Sequence, residues 1–80
     1  MSYIYYTRAD TIYDEDGKPY IVYGIEAISL QGKVLASFPD VFFDKQKAEN
    51  FVKLCNDSNL DIIHLSDVVE DAIVEQYAVC

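Results

Sequence analysis

The side chains that could perform chemistry are few: one histidine, His64, two cysteines, Cys55 and Cys80, and no tryptophan. Catalysis needs a nucleophile, a base or a set of metal ligands within reach of one another. His64 comes just before a predicted helix, where its ring is expected to help close the helix start, and neither cysteine is near enough in sequence to pair with it. We therefore expect no catalytic residues, no cofactor and no enzyme activity.

The cysteines are expected to be reduced thiols, because two are too few for a disulfide framework. Cys55 falls among the apolar residues of a predicted helix, where a thiol behaves as a small buried hydrophobe. Cys80 is the last residue and is expected to be exposed.

The segment Asp14-Glu15-Asp16-Gly17 has the acidic spacing that begins a calcium-binding loop. Such a loop needs a bidentate acid at its twelfth position, and counting from Asp14 that position is Ile25. The sequence therefore predicts a turn here, and no metal site.

An acidic stripe lies on the second predicted helix and consists of Asp67, Glu70, Asp71 and Glu75. A solvated helix face explains it best, with counter-charges expected from the preceding helix at Lys45, Lys47 and Lys53. A mimic of nucleic acid, with carboxylates in the place of phosphates, is a lesser alternative.

The net charge of −8, from 14 acidic and 6 basic residues, opposes binding to nucleic acid or to an anionic membrane. No stretch reaches the roughly 20 apolar residues that a membrane span needs, and the first residues lack the features of a signal peptide. A chain of 80 residues has room for one hydrophobic core. We predict a single cytoplasmic domain over residues 1–80.

Three strands are expected to precede the helices. Residues 2–13 are rich in Tyr, Ile and Thr, and residues 14–19 form a turn in which Asp16-Gly17 suits a tight hairpin. A second strand over residues 20–30 is followed by a turn at Gln31-Gly32 and by a third strand over residues 33–38, which Pro39 ends.

Two amphipathic helices follow. Asp44 can cap the first, whose apolar face consists of Ala48, Phe51, Val52 and Cys55. Ser66 can cap the second, with Leu65 as a hydrophobic staple before it and an apolar stripe made of Val69, Ala72, Ile73 and Tyr77. The fold class is therefore α+β: a three-stranded antiparallel β-meander followed by two α-helices packed on one face.

The register of the sheet decides which face the helices cover. With two-residue turns in both hairpins, the apolar face that receives the helices contains Ile4, Tyr6, Ile12, Ile21, Tyr23, Ile25, Ala27, Val34, Ala36 and Phe38. The uncovered face then presents Tyr3, Tyr5, Ile28, Leu30 and Leu35, which we expect to form an interface. A symmetric homodimer through this face, or through an edge strand, is the predicted assembly.

The chain resembles a group of short, functionally uncharacterised proteins of Gram-positive, mainly clostridial, bacteria that form a domain of unknown function. The resemblance rests on Tyr23-Gly24-Ile25, on Asp44 with Ala48-Glu49, Phe51-Val52 and Cys55-Asn56, and on the run from His64 to Asp71. It implies a bacterial cytoplasmic origin and supplies no catalytic residue, ligand or partner.

These observations favour a small non-enzymatic module for protein interaction or assembly. The alternative is a regulatory domain that binds a small molecule. A third class, an enzyme that uses His64 with Asp61 or Asp67 across a dimer, has the least support. A pocket lined by tyrosines and His64 would favour a ligand or catalysis, whereas a flat aromatic patch would favour contact with a protein.

Overall fold

The computed structural model describes residues 3–77 and confirms the predicted order of elements, while Cys80 lies outside the described residues. Strands β1 (Tyr3–Tyr13), β2 (Pro19–Ser29) and β3 (Val34–Phe42) form one antiparallel sheet in the order β1-β2-β3. Helix α1 (Lys45–Asp57), a short 3₁₀ helix (Ile62–His64) and helix α2 (Leu65–Tyr77) follow. Both helices pack on the same face of the sheet.

The first hairpin has a three-residue loop, residues 15–17, because the N–H of Asp14 bonds the carbonyl of Lys18; a two-residue loop was predicted. The side chain of Asp14 organises it, because its Oδ1 accepts hydrogen bonds from the backbone N–H groups of Asp16 at 2.9 Å and Lys18 at 2.8 Å. Gly17 adopts φ +78°, as a tight turn requires. The longer loop places Tyr13 opposite Pro19 and Tyr5 opposite Ala27.

This register shifts β1 by one residue relative to the prediction, so the faces predicted for β1 are exchanged. Tyr3 and Tyr5 pack with the helix-covered core, whereas Ile4 and Tyr6 share the opposite face with Glu26 and Ile28. The prediction was wrong for β1 because it assumed a two-residue turn. In the second hairpin it was right for Ala27 opposite Ala36 and Ile25 opposite Phe38, but wrong for the turn. Ser29 bonds Lys33 across a three-residue loop and Ile28 lies opposite Val34, so Val34 shares the face of Ile28 rather than the predicted helix-covered face.

Strand β3 does not end at Pro39, as predicted, but continues to Phe42 through a bulge. Phe38 lies opposite Ile25 and Phe42 lies opposite Tyr23, so β3 has extra residues across from Gly24. Asp40 takes a left-handed conformation there, with φ 58°. A Cβ on Gly24 would lie 2.6 Å from the carbonyl oxygen of Phe38, so only glycine leaves room for this bulge.

One core fills the space between the sheet and the helices. Its buried members are Tyr5, Ile25, Ala27, Val41, Phe42, Ala48, Cys55, Leu65 and Val69. The ring centroids of Phe42 and Phe51 lie 5.4 Å apart, which joins the end of β3 to the apolar face of α1. This face of α1 is confirmed as predicted, with Ala48 and Cys55 buried.

The predicted cap of α1 is also confirmed, since the Asp44 carboxylate accepts a hydrogen bond from the backbone N–H of Gln46 at 2.9 Å. The predicted start of α2 at Ser66 is wrong. Asp61 instead caps the 3₁₀ helix through the N–H of Ile63, and that helix runs directly into α2. Leu65 is thus a fully buried helical residue rather than a staple before the helix.

Candidate interaction surface

The sheet face away from the helices, called here the outer face, carries exposed apolar side chains. Ile4 is 39% exposed, Tyr6 48% and Val34 50%, and Ile28 between their strands is half-buried. Glu26 lies among them with its side chain 13% exposed. Its Oε2 accepts hydrogen bonds from Arg8 at 3.0 Å and from the Ser37 hydroxyl at 3.3 Å. The Arg8 charge therefore offsets that of Glu26 at the centre of the outer face.

The five residues predicted to form an interface do not lie together. Ile28 is on the outer face, Leu30 is 65% exposed in the turn after β2, and Leu35 is 44% exposed at an irregularity in the pairing of β3. Tyr3 and Tyr5 lie on the opposite, helix-covered face. At 1% exposure, Tyr5 is inaccessible to any partner, and the places assigned to it and to Tyr3 are taken by Ile4 and Tyr6.

Tyr3 and Tyr5 instead attach β1 to the segment that joins the helices. The Tyr5 hydroxyl donates to the carbonyl of Leu60 at 2.6 Å, and the Tyr3 hydroxyl oxygen accepts from the N–H of Ile62 at 2.8 Å. The two rings meet edge to face with centroids 5.7 Å apart. Burial, and next the neighbouring Tyr3, raises the pKa of Tyr5 well above its usual range. The pair is a structural connection, and the raised pKa keeps the Tyr5 phenol protonated, as its hydrogen bond to Leu60 requires.

The free edge of β1 is closed at one residue. The amide of Asn56, near the end of α1, accepts from the backbone N–H of Tyr5 at 2.9 Å and donates to its carbonyl at 3.0 Å. Asn56 therefore occupies the position that a neighbouring strand would take. Because the register is regular along β1, the backbone groups of Thr7, Ala9 and Thr11 also point away from β2.

Arg8 and Asp10 flank Ala9 along this edge. The Arg8 guanidinium lies 3.0 Å from Glu26 and 3.4 Å from Asp10, with its side chain still 56% exposed. The hydrogen bond to Glu26, followed by the charge of Asp10, raises the pKa of Arg8 further. The Arg8 guanidinium is thus shared between Glu26 and Asp10 at this edge.

His64 does not lie near this surface. It is exposed in the 3₁₀ helix, and its backbone N–H donates to the carbonyl of Asp61 at 2.9 Å. Residues 3–77 hold no group of three or more histidine, cysteine or acidic side chains placed to bind a metal ion.

Two of the lysines expected to balance the acidic face of α2, Lys45 and Lys53, form ion pairs within α1 instead. Lys45 lies 3.9 Å from Glu49, and Lys53 lies 2.9 Å from Asp57, each one turn along the same helix. Asp67, Glu70, Asp71 and Glu75 are exposed, as a solvated face would be.

An open cleft of about 430 Å³ lies between α1, α2 and the end of β3. Phe42, Phe51 and Ala72 form its apolar part, and its polar lining is Lys47, Asn50, Glu75 and Gln76. Among the described lining residues there is neither a tyrosine nor His64.

Cys55 provides a test of the core. It is 4% exposed, and burial raises the pKa of its thiol. We expect Cys55 in a Cys80→Ser variant to react with a thiol reagent far more slowly in the folded protein than in urea, because attack needs an exposed thiolate. The raised pKa also makes stability fall as the pH rises above the ordinary thiol range, since the unfolded chain loses this proton first. Equal labelling rates in the two states would show that Cys55 is accessible.

Residues 3–77 form an α+β fold, a three-stranded meander covered on one face by two helices. The model of a family described as Family of unknown function (DUF6514) matches residues 1–75, and the chain belongs to that family. No curated protein and no solved structure matches the chain. Within residues 3–77, neither helix has the length and apolar character that crossing a membrane requires.

Proposed function

We propose that this protein is a non-enzymatic interaction module of the bacterial cytoplasm that binds protein surfaces through the outer face and self-associates. The observation that carries the proposal is the outer face itself, where Ile4, Tyr6, Ile28 and Val34 are left without a covering layer. An antiparallel sheet with one solvated face normally carries polar side chains there.

The chemistry of the outer face supports a protein as the partner. Aromatic and aliphatic side chains around a paired charge are typical of interface centres, which are depleted in free charges. The net charge of −8 argues against a phosphate-rich partner.

A photo-crosslinking side chain placed at Val34 tests the outer face in the cells that express the protein. Val34 is 50% exposed, and we expect a covalent product larger than the protein itself. Ile28→Glu, introduced with the crosslinker, should abolish the product because it puts a charge at the centre of the patch, while a half-buried surface site loses only about 1 kcal/mol of stability.

The matched control carries the crosslinker at Leu54, which is 71% exposed on α1 and lies off the outer face. It should give no such product. A product of equal yield from Leu54, or one that Ile28→Glu leaves unchanged in a folded protein, would contradict the proposed surface.

The cleft between the helices carries the second candidate, a domain that binds a small molecule. It combines apolar walls with Lys47 and Glu75 at its rim. Its opening to solvent disfavours it, because ligand sites enclose most of the surface of their ligand.

A further inference from the structure

We propose that two copies of this chain associate edge to edge through β1. The two β1 strands pair antiparallel, with the two-fold axis at Ala9. This inference rests on the proposed self-association and assigns it to the edge of β1 rather than to the outer face. It joins the two three-stranded sheets into one continuous sheet.

The available backbone groups define where pairing can occur. The Asn56 side chain already bonds the N–H and the carbonyl of Tyr5, so hydrogen bonds between the two β1 strands cannot extend to that residue. Thr7, Ala9 and Thr11 follow on the same side of the strand and are exposed. Each offers one donor and one acceptor to a neighbouring strand.

Pairing about Ala9 makes the side chains of the two copies complementary. Ala9 lies opposite itself, and Thr7 lies opposite Thr11 of the partner subunit. Arg8 then faces Asp10 of the partner subunit, in a pair whose side chains are close because its backbones do not bond each other. Further out on the same face, Tyr6 meets Ile12 of the partner subunit. Threonine pairs, opposite charges and aromatic–aliphatic pairs are each favourable across strands.

Other symmetric registers are worse. Moving the two-fold axis by one residue, to Arg8 or to Asp10, places that residue opposite its own copy. Like charges directly opposite each other are destabilising. Centring on Thr7 sets Ala9 of the partner subunit, in the middle of its strand, opposite Tyr5, where Asn56 is bound, whereas centring on Ala9 brings only the last residue of the partner strand to that position. Centring on Thr11 sets Asp10 against Ile12 of the partner subunit, a charge against an apolar side chain.

The assembly stops at two copies, because its outermost strands are the two copies of β3. Their free edges carry Pro39, which has no N–H, and the bulge at Asp40. Proline and bulges at an edge prevent further strand addition.

The first test replaces a backbone donor. The N–H of Ala9 points away from β2, so Ala9→Pro leaves the intramolecular ladder intact and removes a hydrogen bond from each copy at the centre of the dimer. We expect analytical ultracentrifugation to show a dimer for the wild type and a monomer for Ala9→Pro at the same concentration. Ala9→Thr keeps the N–H and should remain a dimer, and circular dichroism confirms that each variant is folded.

The second test exchanges charges and stays informative even if Ala9→Pro fails to fold. Arg8→Asp alone and Asp10→Arg alone each create two like-charge pairs across the axis, and we expect the dimer dissociation constant to rise at least ~10-fold in each. When the two variants are mixed, positions 8 and 10 are both acidic in one copy and both basic in the other, so we expect a heterodimer. Arg8→Asp combined with Asp10→Arg in one chain should restore the homodimer.

Three outcomes would overturn the inference: a monomeric wild type at millimolar concentration, a folded Ala9→Pro that dimerises like the wild type, or single charge variants that dimerise normally. If the Ala9 and charge variants dimerise normally but Ile28→Glu dissociates the dimer, self-association through the outer face stands and only the assignment to the β1 edge fails. The crosslink at Val34 is read independently of sedimentation, so loss of the edge dimer leaves that test intact.

Discussion

Gly24→Ala is expected to lower the free energy of unfolding by about 3 kcal/mol, the upper end of the usual cost of overpacking. The new Cβ would lie 2.6 Å from the carbonyl oxygen of Phe38 and 2.9 Å from the Cα of Pro39. Both are backbone atoms, so the bulge that carries β3 past Pro39 has to move, and with it the buried residues Val41 and Phe42. Urea unfolding followed by circular dichroism measures the loss, which corresponds to a fall in Tm of roughly 12–24 °C for a domain of this size.

Gly17→Ala is the matched control for this prediction. Gly17 has φ +78°, a conformation that alanine adopts at a cost of roughly 1–2 kcal/mol, but its Cβ would meet no atom within 4 Å. Gly24 has no positive φ, so its cost comes from the close contact alone. A loss at Gly24 no larger than that at Gly17 would show that the bulge adapts without strain.

Asn56→Ala is expected to cost about 3 kcal/mol, because it leaves the N–H and the carbonyl of Tyr5 without their partner beside a buried side chain. These bonds, at 2.9 and 3.0 Å, connect positions 51 residues apart in the sequence. Thermal unfolding should therefore show a larger decrease in Tm for Asn56→Ala than for most other polar substitutions in this chain.

Asn50→Ala is the matched control, on the same helix and with an exposed amide that bonds only the side chain of Gln46 in the described contacts. It should change stability by less than about 0.5 kcal/mol. Asn56→Asp keeps the acceptor for the Tyr5 N–H and loses the donor to its carbonyl, so it should fall near Asn56→Ala. Equal stability of the Asn50 and Asn56 variants would show that the amide bridge does not hold β1.

The order of elements could be read from the sequence because its signals are local. Asp44 lies directly before an apolar pattern of helical period, and the strands are separated by glycine-containing turns. The structure confirms the cap at Asp44 and the burial of Cys55 on that basis.

The faces of β1 could not be read in the same way, because they depend on the number of residues in one loop. Asp16-Gly17 suits a two-residue turn, yet the Asp14 side chain bonds the N–H of Lys18 and stabilises a longer one. One residue of difference moves Tyr5 from a surface to the core. The predicted interface lost two of its residues for this reason.

The remaining differences come from tertiary contacts. The sequence predicts a cap at Ser66, but in the folded chain Asp61 caps the 3₁₀ helix that leads into α2, and Leu65 lies in the core. The continuation of β3 past Pro39 depends on Gly24 in another strand, which no local pattern reveals. The closure of the β1 edge by Asn56 is likewise invisible until the helix is placed.

The bonds between β1 and the residues that follow α1 determine the order in which the chain can fold during synthesis. Tyr3 and Tyr5 are synthesised before their partners Asn56, Leu60 and Ile62, which follow 51 to 59 residues later. Until then β1 can pair only with β2, and the sheet that β3 completes has no helix over its apolar face. The nascent chain therefore carries an uncovered sheet until residues 56–62 have been added, and the native packing of β1 forms only after that point.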